Sequence, residues 1–339
     1  MKPLIPNFPV VKFPIFGDFA IHGFGILVAV GFMLGSRMSM GKAARDGLDP
    51  ELINRIVGWM VAGVFIGGHL GHLLFYYPEQ ILSDPMSILR VWDGLSSFGG
   101  FLACAILAVV FFQREQARIR SVNRQRTKAN KALLPGISLP GYFDALFYGF
   151  TLGWFFGRMG CFVAHDHAGV PTDFALGVYG MCKDMPADPV VACDGLVSCV
   201  ERVGFLIDSP RLASFGTACH DLGLYEAFWS LAMIPLFTLL DRKPRFPGFF
   251  AGMWLLCYGP ARLVLDIFRT TDTRYFGVTP AQVGSLAMIA VGIAILVTQR
   301  NKKPLVVEHA ERVAAAGGVA AEETGGEAAA ASPAAPPVD

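Results

Sequence analysis

Long apolar stretches separated by short polar segments run through the chain, without the strict apolar–polar alternation of strands in a lipid-facing barrel. An α-helix needs about 20 mostly apolar residues to cross a hydrocarbon core. Seven stretches qualify: residues 19–35, 56–76, 98–112, 142–164, 222–240, 248–268 and 279–298, the third being short for a full crossing. The predicted fold class is therefore all-α, a polytopic membrane bundle of about seven transmembrane helices. Composition agrees: 53% of residues are hydrophobic and 16% charged, where a soluble domain carries about 25% charged residues to cover its surface. A net charge of +1 leaves no basic surplus for phosphate contacts, so no nucleic-acid partner is expected.

Lysine and arginine set the expected orientation. Segments 37–55, 113–141, 241–247 and 299–339 carry eighteen of them, and the alternate set (1–18, 77–97, 165–221 and 269–278) carries eight. The basic set marks the cytoplasmic side, which puts the N-terminus outside and the C-terminus inside. Residues 1–304 then form one membrane domain, with a basic cytoplasmic loop at 113–141 and a periplasmic loop at 165–221. That outer loop holds Cys182, Cys193, Cys199 and Cys219, enough for two disulfides in any of three connectivities. No removable signal peptide is expected at the start. Residues 305–339, rich in Ala, Gly, Glu and Pro, read as a disordered cytoplasmic tail.

Ionisable groups inside apolar stretches cost roughly 2.5–3.5 kcal/mol each on insertion scales, so they point to function or to partners. His22, His69 and His72 fall in the first two spans, Arg158 and Cys161 in the fourth, His165, Asp166 and His167 at its outer end, and Glu226 in the fifth. Tyr258, Arg262, Asp266 and Arg269 follow one another at offsets 0, 4, 8 and 11, which keeps them on one side of the sixth helix. Two accounts are open. Pairing of Arg262 with Asp266 and of Arg158 with Glu226 serves as interhelical glue. Alternatively, Arg158, Arg262 and Arg269 line a cavity for a lipid phosphate, which guanidinium groups bind bidentately. Convergence of Cys161, His165, His167 and His220 on a metal is a further arrangement. Gly99, Gly100, Gly157, Gly160 and Gly169 permit close backbone approach.

These residues resemble the prolipoprotein diacylglyceryl transferase family of the bacterial inner membrane. The stretch Gly157-Arg158-Met159-Gly160-Cys161-Phe162-Val163-Ala164-His165-Asp166-His167-Ala168-Gly169 follows the frame of the family's Gly-Arg-x-Gly-Asn-Phe-x-Asn-x-Glu-x-x-Gly signature. His220 to Glu226, the Tyr258–Arg262–Asp266–Arg269 series, and Trp92-Asp93-Gly94 with Gly99-Gly100 resemble three further family segments. The resemblance implies transfer of a diacylglyceryl group from phosphatidylglycerol to the lipobox cysteine of a preprolipoprotein signal peptide, in the bacterial inner membrane and without a cofactor or metal. It implies that Arg158 and Arg262 clamp the phosphate and that Asp166 and Asp266 stand at the positions of family glutamates. Tyr258, Arg269, Glu226, His220, Gly99 and Gly100 complete the implied substrate-binding set. The sequence departs from the pattern at several positions. Phe98 or Gly99 occupies the place of a family histidine, Cys161 and Ala164 replace signature asparagines, and Phe24 replaces a tyrosine. His165 or His167 is the candidate substitute base for the acceptor thiol. Two alternatives remain: a diverged membrane protein that binds lipid or lipoprotein precursor without catalysis, and a metal-binding or transport protein.

Overall fold

The computed structural model describes residues 3–311 apart from 7, 9, 17–18, 92–93, 132, 180–217 and 270–276. They divide into two units: one of Met1–Met40, Phe143–Leu240 and Phe250–Val297, the other of Gly41–Tyr142, Asp241–Phe249 and Thr298–Asp339.

In the first unit a hairpin precedes the first long helix. Strands β1 (Lys12–Phe16) and β2 (Phe19–His22) pair antiparallel, and α1 begins only at Gly23 and runs to Arg45. This corrects the expected span at 19–35, since His22 ends a strand. A four-residue run containing Phe and Ile suits strand or helix equally, and hydropathy alone does not separate them. Three long helices follow: α5 (Leu139–Ala164), α6 (Leu222–Leu240) and α7 (Phe249–Leu265), the last continued by a 3₁₀ turn at Asp266–Phe268. The series closes with α8 (Pro280–Gln299). Buried Asp144 on α5 accepts the backbone N–H of Ala251 at 2.9 Å and so caps the start of α7.

Small residues bring α1 and α5 together. A Cβ on Gly31 would lie 2.9 Å from the Gly153 carbonyl oxygen, and one on Gly149 would lie 2.1 Å from that of Gly35. Gly31 with Gly35 and Gly149 with Gly153 thus form facing small-xxx-small pairs, where backbone meets backbone. A three-stranded antiparallel sheet of β3 (Ala168–Pro171), β5 (Ala218–Asp221) and β4 (Gly177–Tyr179), in that order, lies between α5 and α6 in sequence. The N-terminal segment joins it through a parallel bridge from Ile5 to Val178, and Ile5, Phe8 and Phe162 pack on Val178 and Cys219. Cys219 is disulfide-bonded, whereas Cys182, Cys193 and Cys199 lie outside the described residues.

In the second unit α2 (Pro50–Tyr76) is capped by Asp49, whose side chain accepts from the Glu51 N–H, and Pro50 supplies the helical φ at its first position. A short α3 (Pro78–Ser83) and a 3₁₀ turn lead to α4 (Ser97–Lys128), capped by Ser96. At 32 residues, α4 is longer than the 98–112 stretch expected to span. It measures about 48 Å against a hydrocarbon core of about 30 Å. Half of the expected cytoplasmic loop is therefore helix, and it carries Arg114 to Lys128. Gly99, singled out as a site residue, meets Gly67 and Gly71 of α2; its Cβ would lie 2.4 Å from the Gly67 oxygen and 2.7 Å from the Gly71 Cα. Gly100 is buried on the same helix, near Val64. Because the obstacle is backbone, Gly99→Ala is expected to destabilise by about 1–3 kcal/mol through forced separation of α2 and α4. A lower melting temperature in detergent checks this; an unchanged one refutes it.

His69 is buried with Nδ1 3.1 Å from the Gly94 oxygen and Nε2 2.9 Å from the Ser87 oxygen, so it ties α2 to the segment before α4. His72 packs against Tyr77 at 4.9 Å. Among the described residues six helices are long and apolar enough to cross a membrane, which makes this a polytopic helical membrane protein; α5, which carries Asp144 and Arg158, is not among the six. At the C-terminal end, residues 305–311 are helical and Leu305 is buried, so order extends past the expected boundary at 304. Residues 312–339 of the expected tail lie outside the described residues.

Candidate active site

Three helices of the first unit deliver their polar side chains to one carboxylate. Glu226, fully buried on α6, has Oε1 2.7 Å from an Nη1 of Arg262 on α7 and Oε2 2.8 Å from Nε of Arg158 on α5. The Arg158 contact is an ion pair whose N–H is not aligned for a hydrogen bond. Tyr258 donates its hydroxyl to Oε2 at 2.5 Å. Asp266 lies one turn beyond Arg262, with Oδ1 3.9 Å from Nη2, and accepts the Thr279 hydroxyl on Oδ2 at 2.5 Å. Both pairs expected as interhelical glue therefore exist, but they meet at a single acid. Arg158 and Arg262 share Glu226, one guanidinium on each carboxylate oxygen, and Asp266 faces Arg262 from 3.9 Å.

An aromatic wall supports these charges. The Arg158 guanidinium lies over the Trp154 ring at 4.2 Å, and Tyr258 has Trp254 at 4.7 Å, Trp229 at 5.1 Å and Trp154 at 5.6 Å. Cation–π contact holds a guanidinium flat without consuming its donors. None of these tryptophans is in the sequence-derived site, although Trp154 and Trp254 each stand four residues before a site residue, on the same helix face. Gly157 has open space where its Cβ would be, unlike Gly160, whose Cβ would lie 3.0 Å from the Phe24 ring. Gly169 forms a bridge with Arg269, and a Cβ there would meet the Phe268 oxygen at 2.9 Å.

The chain turns back sharply after α5. His165 has a positive φ of 54° and is held with Nε2 2.9 Å from the Phe8 oxygen and its ring 4.4 Å from Phe8. It faces the N-terminal segment. His167 instead turns to the arginines, with Nε2 3.4 Å from Nη1 of Arg158. Burial, then the positive charges of Arg158, Arg269 and Arg262, push its pKa down to about 3. It is a neutral and very weak base, which places all three expected arginines within electrostatic reach of one ring. Asp166 is mostly exposed and lies 3.4 Å from Nδ1 of His167.

His220 sits apart, with Nδ1 2.7 Å from the Tyr225 hydroxyl and its ring 4.8 Å from Phe268; burial lowers its pKa to about 4. Next to it, Asp221 begins α6 by accepting the Leu224 N–H on Oδ1 at 2.9 Å, while buried Oδ2 makes no hydrogen bond among the described residues. Burial raises the Asp221 pKa from 3.8 to about 7, against the lowering effect of the Leu224 and Gly223 backbone bonds. The folded protein thus binds this proton more tightly than the unfolded chain. The resulting stabilisation, at most about 4 kcal/mol, is complete below the unfolded value and fades as pH rises from about 4 to 7. Thermal unfolding between these values is expected to show that slope. Asp221→Asn is expected to flatten it, and an equal slope in the variant refutes the assignment.

Apolar helices long enough to span a bilayer thus carry paired arginines held on a buried acid beside an aromatic cluster, an arrangement of the class found in polytopic membrane enzymes rather than in purely apolar bundles. Residues 10–298 match the family Prolipoprotein diacylglyceryl transferase. The chain is 29% identical over 301 residues to the phosphatidylglycerol–prolipoprotein diacylglyceryl transferase of Photorhabdus laumondii, covering 86% of this chain and 92% of that protein. It is 30% identical over 308 residues to the protein of the same name from Enterobacter sp., covering 86% and 93%. The Cereibacter sphaeroides protein of that name is 27% identical over 312 residues, covering 84% and 92%. The chain belongs to the prolipoprotein diacylglyceryl transferase family.

Proposed function

We propose that the protein transfers the diacylglyceryl group of phosphatidylglycerol to the lipobox cysteine thiol of preprolipoproteins, in the bacterial inner membrane with its N-terminus outside and C-terminus inside. The observation that carries this reading is the sharing of Glu226 by Arg158 and Arg262. Attack of the thiolate sulfur on the glyceryl carbon breaks the C–O bond, and the electron pair stays on the phosphate, which leaves as glycerol phosphate. Charge grows on that phosphate in the transition state, so guanidinium groups fixed in advance lower the barrier. Glu226 and Tyr258 position the two arginines, and Asp266 steadies Arg262 from its far side. Arg269 adds positive potential, while Gly157 leaves room beside Arg158 for the lipid headgroup. Within this reading the two histidines leave the base role: His165 is occupied by Phe8, and His167 is too weakly basic to hold a thiol proton. His220 is turned to Tyr225 and Phe268 rather than to the arginine pair. The outer loop 165–221 and the C-terminal segment 299–339 are assigned to the periplasm and cytoplasm by the alternation of segments in which one set carries eighteen lysines and arginines and the other eight.

The test is transfer of acyl-labelled phosphatidylglycerol, in vesicles with purified protein, to a peptide bearing a lipobox cysteine. Label on the peptide with release of glycerol phosphate is expected, and a serine version of the peptide should stay unlabelled. Absence of transfer overturns the reading. It favours the alternative that Phe98 and Gly99 motivate, where the family histidine is replaced: a protein that holds precursor and lipid without joining them.

A further inference from the structure

The transfer chemistry makes no use of the second half of α4. Residues 113–141 carry seven lysines and arginines against a single acid, Glu115, in a chain whose net charge is only +1. That acid is already taken: Arg55 of α2 grips it with both terminal nitrogens, at 2.7 and 3.2 Å. Arg118 reaches Glu115 only at 3.6 Å. Arg114, Arg118, Arg120, Arg124, Lys128 and Lys131 are all exposed, and the last four make no ion pair among the described residues. We propose that this half of α4, with the segment that returns from it to Leu139, is a binding surface for the headgroups of anionic phospholipid in the surrounding bilayer. It stands independently of the transferase reading.

Aromatic residues mark where α4 leaves the hydrocarbon. The apolar run of the helix ends at Phe112. Phe111 packs edge-on to Trp59 of α2 at 5.8 Å, and Phe112 lies 6.0 Å from Tyr142, whose hydroxyl accepts the Asp49 N–H at 3.1 Å. Tryptophan and tyrosine gather at the membrane–water boundary, where one end of the side chain is apolar and the other wet. Arg114 follows at once, its guanidinium 5.5 Å over the Trp59 ring. With a rise of about 1.5 Å per residue, Arg118 and Arg120 stand roughly 6–9 Å beyond Arg114. The headgroup layer is about 5–7 Å deep, so these side chains lie at the level of the lipid phosphates. Arg124 stands about 15 Å out, within a Debye length of about 10 Å of that layer.

The return leg is held against the helix. Asn123 donates to the Leu134 oxygen at 2.9 Å and accepts the Leu134 N–H at 2.8 Å, and Gln116 accepts the Ile137 N–H at 3.2 Å. These bonds keep Leu133, Leu134 and Leu139 beside the cations, and all three leucines are exposed. Exposed leucine mixed with arginine suits a membrane interface, where apolar burial adds to attraction by anionic lipid. A nucleic acid or an acidic protein would also answer the charge. The leucines, and the start of the basic run at an aromatic boundary, favour lipid.

Trp59 is the reporter and phosphatidylserine the probe, an anionic lipid that the proposed transfer does not consume. Full-length protein goes into phosphatidylcholine vesicles containing a minor fraction of brominated phosphatidylserine, or the same fraction of brominated phosphatidylcholine. The Trp59 signal is the difference between the parent and Trp59→Phe. Stronger quenching by phosphatidylserine is expected, falling toward the phosphatidylcholine value near 1 M salt, where the Debye length is about 3 Å. A lysine or arginine near the surface is worth about fivefold in anionic-lipid affinity, so Arg118→Gln, Arg120→Gln and Arg124→Gln together should erase the preference. All three side chains are exposed, and changing them to lysine instead should keep it. Equal quenching by the two lipids in the parent overturns the proposal and leaves the cations to solvent or to an acidic macromolecule. A preference that survives either high salt or the glutamine variant overturns it as well, because it then arises elsewhere on the protein. Transfer is not read in this assay, so failure of the transferase reading leaves the result standing.

Discussion

Arg158→Ala is expected to lower diacylglyceryl transfer by at least about 100-fold, the usual consequence of removing one preorganised donor from a developing oxyanion. The loss should fall on kcat more than on KM, because the extra phosphate charge exists only in the transition state. The fold should tolerate the change, since Glu226 keeps Arg262 and the Tyr258 hydroxyl as partners. Arg158→Lys retains a charge but loses the planar fork and the stacking on Trp154, so only part of the rate should return. Measurement in vesicles of fixed phosphatidylglycerol content separates these cases. An alanine variant with the parent rate would remove Arg158 from the chemistry.

Glu226→Ala should have the largest effect on stability. It leaves two buried guanidinium groups facing each other with their common carboxylate gone, and breaking a buried pair in this way costs about 3–5 kcal/mol. Thermal unfolding in detergent should show a lower melting temperature, and transfer should fail because both arginines lose their anchor. A double variant sharpens the test. If repulsion is the cause, adding Arg158→Ala to Glu226→Ala should recover stability, a non-additivity that independent sites do not give. Additive losses would show that Glu226 acts on each helix separately.

The sequence pattern made the membrane class legible because apolar runs of helix-spanning length have few other uses. It also identified Arg158, Arg262, Asp266 and Tyr258 as polar groups on apolar helices. It offered the Arg158–Glu226 pair and a common cavity for Arg158 and Arg262 as alternatives; that both arginines share Glu226 was hidden, because no spacing rule joins positions 158, 226 and 262. The boundary at Gly23 was equally hidden: Phe19–His22 is apolar in either strand or helix, and only its pairing with β1 decides. Asp166 illustrates the reverse case. Its place in a family frame matched it to a glutamate of the substrate site, whereas the positive φ at His165 turns the chain and sets the acid beside His167. Gly99 was read as a site residue, and its contacts give it a packing reason in the second unit.

The glycine contact between α1 and α5 has a consequence for biosynthesis. Gly31 and Gly35 fit against Gly149 and Gly153, which lie more than a hundred residues further along the chain. The first helix to enter the bilayer therefore has to wait, its matching surface lined by lipid, until the ribosome has delivered α2, α4 and finally α5. A chain halted before α5 presents that bare small-residue stripe to any neighbour, including another copy of itself. Completion of the pair marks the moment when the helix carrying Arg158 acquires a fixed rotation.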